Sequence, residues 1–347
     1  MHSENESAAS DSEMAVSKPV GSLSKKKFLA GIYEPISEDL AEVDRLLVEE
    51  LKRDVPWMES LLSHTNISGG KRMRPALVLF SGICCGEINP QHHQLGAALE
   101  MIHTASLVHD DVLDHAEQRR HVATVNSRWD NKTSVLLGDY LFTHAFHIAS
   151  KSDSLMALKR LSIASNRVCE GEMRQNAWSG DFEITEASYL DMVGQKTAEL
   201  CSCACYCGAH FSGADEVTSE RFGDFGQNLG VAFQIVDDIL DLVGDAQTVG
   251  KTLGTDLKNR KPTLPIIHGL TQAVPALRQE MVQVLKAEEP DSQRVMDWLL
   301  DSGSLGYANG VARVYAEKAA GFANQLSSGD GSRALKVMAE FVLERTY

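Results

Sequence analysis

Apolar residues recur at the three- and four-residue spacing of amphipathic helices along nearly the whole chain. From Phe28 onward, short polar or glycine-containing breaks separate these segments, and no convincing run alternates apolar and polar residues as a strand would. We therefore predict an all-α fold, a single helical bundle around a central cavity. The predicted helices span residues 38–64 (one helix or a broken pair), 76–84, 94–113, 134–150, 155–179, 187–211, 220–242 and 262–270.

Two copies of a D-D-x-x-D motif lie at the predicted ends of apolar helices. Residues four apart share a helix face, so the first and last aspartates of each motif point the same way. Carboxylates crowded beside apolar surface must take up protons or bind cations. We favour cations, because oxygen ligands suit a hard ion such as Mg²⁺, which also joins carboxylates to substrate phosphate oxygens. The candidate ligands are Asp110, Asp111, Asp114, Asp237, Asp238 and Asp241.

A solvated helix face is the alternative interpretation of a single acidic motif. The duplication and the apolar flanks of both motifs argue against it. We therefore predict that the two clusters face each other across the cavity and hold one charged ligand between them.

Basic residues stand beside both clusters, as a bound polyphosphate would require. Taken singly, each would be an ordinary surface cation, but their placement favours a role in binding. Lys196 is predicted to begin the cysteine-bearing helix, and residues 244–256 are too rich in glycine for a stable helix, so we expect a mobile loop there. His103 and Gln234 are either core hydrogen-bonding residues or ligand contacts. The basic candidates are Lys71, Arg74, Arg119, Arg120, Lys196, Lys251 and Lys261.

Composition excludes several classes of function. The formal net charge of −15 argues against a nucleic-acid partner. No apolar run is long enough to span a bilayer, so we expect no membrane span. Residues 1–27 are polar, lack an apolar core and contain acidic residues, so we expect a disordered leader that is neither a secretory signal nor a transit peptide, and a cytoplasmic protein.

The seven cysteines are an odd set, and a disulfide framework is not expected. Four of them form a C-x-C-x-C-x-C run from Cys201 to Cys207. A metal site is one interpretation, but alternate residues share a face only in a strand, and this segment is predicted to be helical. We therefore expect these small side chains to serve close helix packing.

Five separated motifs together resemble those of trans-isoprenyl diphosphate synthases. The resemblance extends from about Phe28 to the last helices, and the motif context is most similar to octaprenyl and related long-chain polyprenyl synthases. In chain order the motifs are Gly69-Gly70-Lys71-Arg72-Met73-Arg74-Pro75, His103 with the first acidic motif and Arg119-Arg120, Lys196-Thr197, Phe233-Gln234 with the second acidic motif, and Gly250-Lys251 with Lys261-Pro262-Thr263.

The resemblance implies one domain of the isoprenoid synthase type over residues 28–347, and a homodimer. It implies Mg²⁺-dependent head-to-tail condensation of isopentenyl diphosphate with an allylic diphosphate, to give a medium- or long-chain polyprenyl diphosphate. The six aspartates would hold Mg²⁺ on the allylic diphosphate, and Arg119, Lys196, Thr197, Gln234, Lys251 and Lys261 would complete that site. Isopentenyl diphosphate would bind, without metal, to Lys71, Arg74, His103 and Arg120.

Product length is predicted to depend on the helix face below Asp110. Ala105 and Ser106 lie about one turn before it and are small. By the resemblance, short-chain synthases carry a bulky residue there, so we predict a product longer than farnesyl, with Phe142 or Phe146 as the channel floor.

Four alternatives stand beside this prediction. A short-chain synthase of the geranylgeranyl or farnesyl type would share the reaction, whereas a non-catalytic partner subunit of a prenyl synthase would have lost motif residues. All six aspartates persist, which disfavours that subunit. A terpene cyclase would need neither Lys71 and Arg74 nor a second D-D-x-x-D. A cysteine-based metal-binding protein is the fourth.

Overall fold

The computed structural model describes residues 31–65, 70–119, 122–243 and 254–344. Over these ranges the chain is almost entirely helical, which confirms the predicted all-α class. A small antiparallel hairpin was not predicted: it pairs β1 (Gln118–Arg119) with β2 (Val122–Ala123). The helices are α1 (Ser37–Leu51), α2 (Pro56–His64), α3 (Met73–Cys85), α4 (Pro90–Leu113), α5 (Val125–Arg128), α6 (Asn131–Ser150), α7 (Leu155–Ala177), α8 (Glu186–Val193), α9 (Glu199–Phe211), α10 (Glu216–Val243), α11 (Thr255–Lys258), α12 (Leu264–Gln272), α13 (Pro275–Lys286), α14 (Ser292–Asp301), α15 (Ser304–Ala323) and α16 (Asp330–Leu343).

Local sequence accounts for most of these boundaries. Residues 38–64 form the broken pair, because Pro56 disfavours the helical conformation of the preceding residue. Val55 is accordingly extended, with φ −104° and ψ 109°. Helix α4 begins where the Asn89 side chain accepts a hydrogen bond from the Gln91 backbone N–H at 3.0 Å, which satisfies one of the free amides of the first turn.

Helix α9 lies at the centre of the bundle, packed between α3 and α10. Glycines bring the backbones close: a Cβ added at Gly208 would lie 2.2 Å from the carbonyl oxygen of Val78, and one at Gly226 would lie 2.3 Å from that of Cys201. This arrangement agrees with the interpretation of the cysteine run as a close-packing surface. Its four members are all buried and carry free thiols: Cys201, Cys203, Cys205 and Cys207.

We expect Gly226→Ala to lower the free energy of unfolding by at least about 1 kcal/mol, because the added methyl group would force α9 and α10 apart. Gly310 is the matched control: it lies in α15, and a Cβ there would meet nothing within 4 Å. Gly310→Ala should be neutral or stabilising by up to about 1 kcal/mol, since alanine favours helix. Urea unfolding of both variants measures the difference; equal stabilities would contradict the close contact.

A second, smaller apolar cluster lies beside the main core. It joins residues of α11 to α14 with Phe182 and Leu305, and Trp298 is among its larger side chains. Helix α12 connects this cluster to the bundle by packing on α15. The assignment of residues 28–347 to one domain stays a prediction, and the leader lies outside the described residues. Where the chain is described, no helix is both long and apolar enough to cross a bilayer.

Candidate active site

Both acidic motifs lie at the C-terminal ends of long helices, as predicted. Helix α4 ends at Leu113, with Asp114 as its capping residue, and α10 ends at Val243, two residues after Asp241. The C-terminal end of a helix carries partial negative charge, so it repels further anions. Carboxylates concentrated at two such ends therefore favour bound cations.

The first cluster is surrounded by basic and amide groups. Arg119 returns on the β1–β2 hairpin, and its Nε donates to Asp111 Oδ1 at 2.8 Å. Lys261 Nζ and Asn259 Nδ2 each donate to Asp114 Oδ1 at 2.9 Å. Burial raises the pKa of Asp110 to about 6; Lys196 and Arg119 act in the opposite direction, whereas Glu172 and Asp114 raise it further. Burial thus disfavours the charged form of Asp110, which a bound cation would favour.

In the second cluster, both oxygens of Asp238 are occupied by protein donors. Tyr189 Oη donates to Oδ2 at 2.6 Å, and Gln234 Nε2 donates to Oδ1 at 2.7 Å. Gln234 in turn accepts a hydrogen bond from Thr197 Oγ1 at 2.8 Å, which brings two predicted site residues together. Burial and then the charge of Asp256 raise the pKa of Asp238 to about 7, although the two hydrogen bonds act in the opposite direction.

Lys261 links the two clusters. Its Nζ lies 2.9 Å from Asp114 Oδ1 and 3.6 Å from Asp256 Oδ1. The backbone N–H of Asp256 donates to Asp241 Oδ2 at 2.9 Å. Burial alone would lower the pKa of Lys261, but Asp256 and Asp114 more than offset this effect and raise it. The two motifs, about one hundred and thirty residues apart in sequence, therefore border the same region, as predicted.

Lys196 lies inside a helix rather than at its start, which corrects the sequence-based placement. A single π-helical turn (Gly194–Ala198) joins α8 to α9 and contains both Lys196 and Thr197. Such turns carry one extra residue and occur frequently at functional sites. Gly171 of α7 permits the approach, since a Cβ there would lie 2.6 Å from the Lys196 backbone nitrogen.

The Lys196 side chain lies near the first cluster. Its Nζ lies 2.5 Å from Glu172 Oε2 and donates to Gln175 Oε1 at 2.7 Å. Burial would lower the pKa of Lys196, yet Asp110 and Glu172 raise it above the ordinary value. The lysine is therefore a fixed cation beside Asp110.

The predicted isopentenyl diphosphate residues lie on two elements. Lys71 is exposed just before α3, and Arg74 is buried in the first turn of that helix. His103 is half-buried on α4, where its carbonyl oxygen accepts a hydrogen bond from Ser106 Oγ at 2.8 Å. The other predicted residue of this site, Arg120, lies outside the described residues, as does Lys251 of the allylic site.

The predicted chain-length residues differ in accessibility. Ala105 is fully buried, whereas Ser106 is half-buried on the same turn of α4. Helix α6 packs along α4, and its Phe142 and Phe146 rings lie 5.7 Å apart, both partly exposed. Their role in product length stays a prediction.

Several polar residues of the site were missed from sequence. Asp256 was predicted to end a loop over residues 244–256. It belongs instead to the short helix α11, so that part of the loop prediction was wrong. Residues 244–253 lie outside the described ranges. The spacing of Glu172 and Gln175, three apart on α7, was an available signal. The missed residues are Glu172, Gln175, Tyr189, Asp256 and Asn259.

The donor set fits a divalent ion shared with a ligand. Among the described residues, no three carboxylate, thiol or imidazole groups converge closely enough to hold an ion by themselves. The carboxylates nevertheless border one region from two helix ends, and burial raises the pKa of Asp110, so its charged form gains from a bound cation. Mg²⁺ typically binds through one or two carboxylates together with substrate phosphates and water. The aspartates suit that mode of binding.

Comparison with known proteins gives consistent results. The polyprenyl synthetase family model matches residues 55–302. The octaprenyl diphosphate synthase of Escherichia coli is 33% identical over 323 residues, covering 91% of this chain and 99% of that protein. An all-trans-nonaprenyl-diphosphate synthase (geranyl-diphosphate specific) of Rhodobacter capsulatus is 36% identical over 321 residues, 92% of this chain and 98% of its own.

A solved structure shares the fold. The polyprenyl synthase of Caulobacter crescentus, crystallised with calcium and isoprenyl diphosphate, superposes with a TM-score of 0.86 at 34% identity. The match covers 92% of this chain and 98% of the Caulobacter chain. The all-α fold is therefore that of the isoprenoid synthases.

Proposed function

The chain belongs to the polyprenyl synthetase family, and we propose that it joins isopentenyl diphosphate to an allylic diphosphate with Mg²⁺ as the cofactor. The protein is a prenyltransferase that makes polyprenyl diphosphates. The observation that carries the proposal is the meeting of two acidic helix ends, of α4 and α10, around Lys261. A diphosphate between these ends can share cations with both.

In this proposal the allylic diphosphate lies between the clusters. Asp110, Asp114, Asp237 and Asp241 would supply oxygens to Mg²⁺, while Asp111 and Asp238 hold Arg119 and Gln234 in place as well as adding negative charge. When bound, Mg²⁺ supplies stabilisation of the charge that develops on the diphosphate leaving group.

The lysines exchange partners when the substrate enters. Lys196 and Lys261 now contact Glu172 and Asp114, and a diphosphate oxygen can replace these carboxylates as acceptor at little cost in geometry. Fixed cations aimed at a leaving group stabilise the transition state more than the ground state, because the negative charge increases as the bond breaks. Both lysines therefore promote loss of diphosphate.

The reaction needs no nucleophilic side chain. Cleavage of the allylic C–O bond leaves an allylic cation, the double bond of isopentenyl diphosphate attacks it, and loss of a proton restores an alkene. The departing diphosphate is the proposed proton acceptor. Lys71, Arg74, His103 and Arg120 hold the isopentenyl diphosphate so that its double bond faces the cation, which contributes by proximity and orientation.

We further propose a product longer than farnesyl, released by a homodimer in the cytoplasm. Ala105 and Ser106 leave the helix face below Asp110 free of bulk, and the relatives described above are named for octaprenyl and nonaprenyl products. Exposed apolar side chains on α6 and α7, including Leu136 and Ile163, could be buried between two copies. A short-chain product of the geranylgeranyl type is the alternative.

The test is incubation of the purified full chain with labelled isopentenyl diphosphate, Mg²⁺ and primers of increasing length. We expect labelled prenyl diphosphates, whose chain length chromatography measures after removal of phosphate. Reactions without primer or with a chelator should give none. Absence of product with every primer would refute the proposal and favour a non-catalytic partner subunit; sedimentation of the same sample gives the oligomeric state.

A further inference from the structure

Arg72 is a buried arginine whose charge is already neutralised by two carboxylates. Its Nε donates to Asp44 Oδ1 of α1 at 2.7 Å, and its Nη1 donates to Glu100 Oε1 of α4 at 3.0 Å. The Arg72 side chain is 7% exposed, Glu100 is 10% exposed and Asp44 is 42% exposed. The guanidinium therefore connects the start of α3 to both α1 and α4.

The backbone of Arg72 adopts a conformation that its side chain disfavours. It lies in the left-handed region, with φ 50° and ψ 34°, where the Cβ of an L-residue crowds the following carbonyl. The residue is the N-cap of α3, and its carbonyl oxygen accepts the Ala76 backbone N–H at 2.9 Å. Such a conformation persists where surrounding contacts over-determine it, and here the two ion pairs do so.

These contacts connect the two halves of the proposed isopentenyl diphosphate site. Arg72 stands between Lys71 and Arg74 in the basic turn. Its partner Glu100 lies three residues before His103, and therefore on the neighbouring turn of the same face of α4. An arginine is suited to this task, because its planar guanidinium can donate to two carboxylates at fixed angles.

We propose that Arg72 is a positioning residue for isopentenyl diphosphate, which holds the turn carrying Lys71 and Arg74 against the helix carrying His103. This inference rests on the proposed function of that site. Arg72 itself is assigned no contact with the diphosphate, since its side chain is buried and its Nε and Nη1 donate to Asp44 and Glu100. The allylic site uses α7, α10, α11, the π-turn, Arg119 and the C-terminal end of α4, which begins ten residues beyond Glu100 at Asp110, so it does not include the turn that Arg72 holds.

The first test is Arg72→Asn, because asparagine tolerates the left-handed conformation but cannot bridge the two helices. We expect KM for isopentenyl diphosphate to rise by roughly tenfold or more, as small misplacements of binding groups are costly. KM for the allylic primer should stay within about twofold of wild type, since that site does not use the turn that carries Lys71 and Arg74. Arg72→Lys should rescue only partly, because lysine lacks the two-sided guanidinium.

A double variant separates positioning from folding. Arg72→Asn alone leaves the buried Glu100 without its cation, which lowers the thermal midpoint. Adding Glu100→Gln removes that buried charge, so Arg72→Asn/Glu100→Gln should regain stability while KM for isopentenyl diphosphate stays high. Calorimetric titration of isopentenyl diphosphate without metal should show the same weakening. A folded variant with wild-type KM for isopentenyl diphosphate would overturn the inference, whereas an inactive wild-type chain would instead refute the proposed function.

Discussion

Asp110→Asn and Asp237→Asn should each reduce kcat by roughly 10²- to 10³-fold, the loss typical of removing one electrostatic group at a developing charge. Each substitution replaces a charged oxygen ligand with a neutral amide at a helix end that already repels anions. Steady-state prenyl transfer at saturating substrate measures the effect. The two clusters border one region through Lys261, so the double variant should lose much less than the product of the two single effects.

Asp224→Asn is the matched control, since Asp224 is an exposed carboxylate on the same helix as Asp237. It should leave kcat unchanged. If Asp110→Asn and Asp237→Asn also retain wild-type turnover, neither aspartate takes part in binding the metal.

Asp110→Asn, which should lower kcat, should also raise the stability of the metal-free protein above about pH 6. The pKa of Asp110 is raised to about 6, mainly by burial. Between the ordinary aspartate pKa and about 6, the folded protein keeps a proton that the unfolded chain has released, so wild-type stability falls as pH rises through this window. Asp110→Asn removes that loss. Thermal unfolding in chelator at pH 8 should show the variant at least as stable as wild type, and the two proteins should converge near pH 4.

Ser106→Phe should shorten the product by one or more isoprene units, a change of product rather than of rate. Ser106 lies one turn below Asp110 on the same helix face and is half-buried, so a phenyl ring there can enter the space that a growing chain would occupy. Ala105→Tyr should act in the same direction. Chromatography of dephosphorylated products measures both shifts.

The two positions differ in a way that provides the control. Ala105 is fully buried. If no channel is present, a tyrosine there must overpack the core, which typically lowers the free energy of unfolding by about 1–3 kcal/mol. Unchanged product length in both variants, with a lowered thermal midpoint for Ala105→Tyr alone, would show that no channel runs below Asp110.

Helical periodicity was enough to predict the all-α class, and the resemblance to trans-isoprenyl diphosphate synthases predicted the fold within that class. The apolar spacing located the long helices, and the motifs placed both carboxylate clusters at helix ends. The resemblance assigned Thr197 and Gln234 to one site but did not predict the hydrogen bond between them.

Long-range ion pairs could not be predicted in this way. Lys261 pairs with Asp114 across 147 residues, and Arg72 with Asp44 and Glu100 across 28 residues in each direction. No local pattern marks such partners, because tertiary packing alone brings them together. The π-turn was missed for the same reason: its residues have no propensity that distinguishes them from an ordinary α-helix.

The π-turn joins α8 to α9 and sets the angle between the side chains that face the acidic clusters and those that pack against α3. Each residue of an α-helix advances the side-chain direction by about 100°. Deleting any one residue of 194–198 would restore regular helix but rotate everything beyond it by that angle. Either Lys196 and Thr197 would turn away from the carboxylates, or Gly208 and the cysteines would lose their fit against α3. This stretch should therefore tolerate no change of length, even one that keeps Lys196 and Thr197.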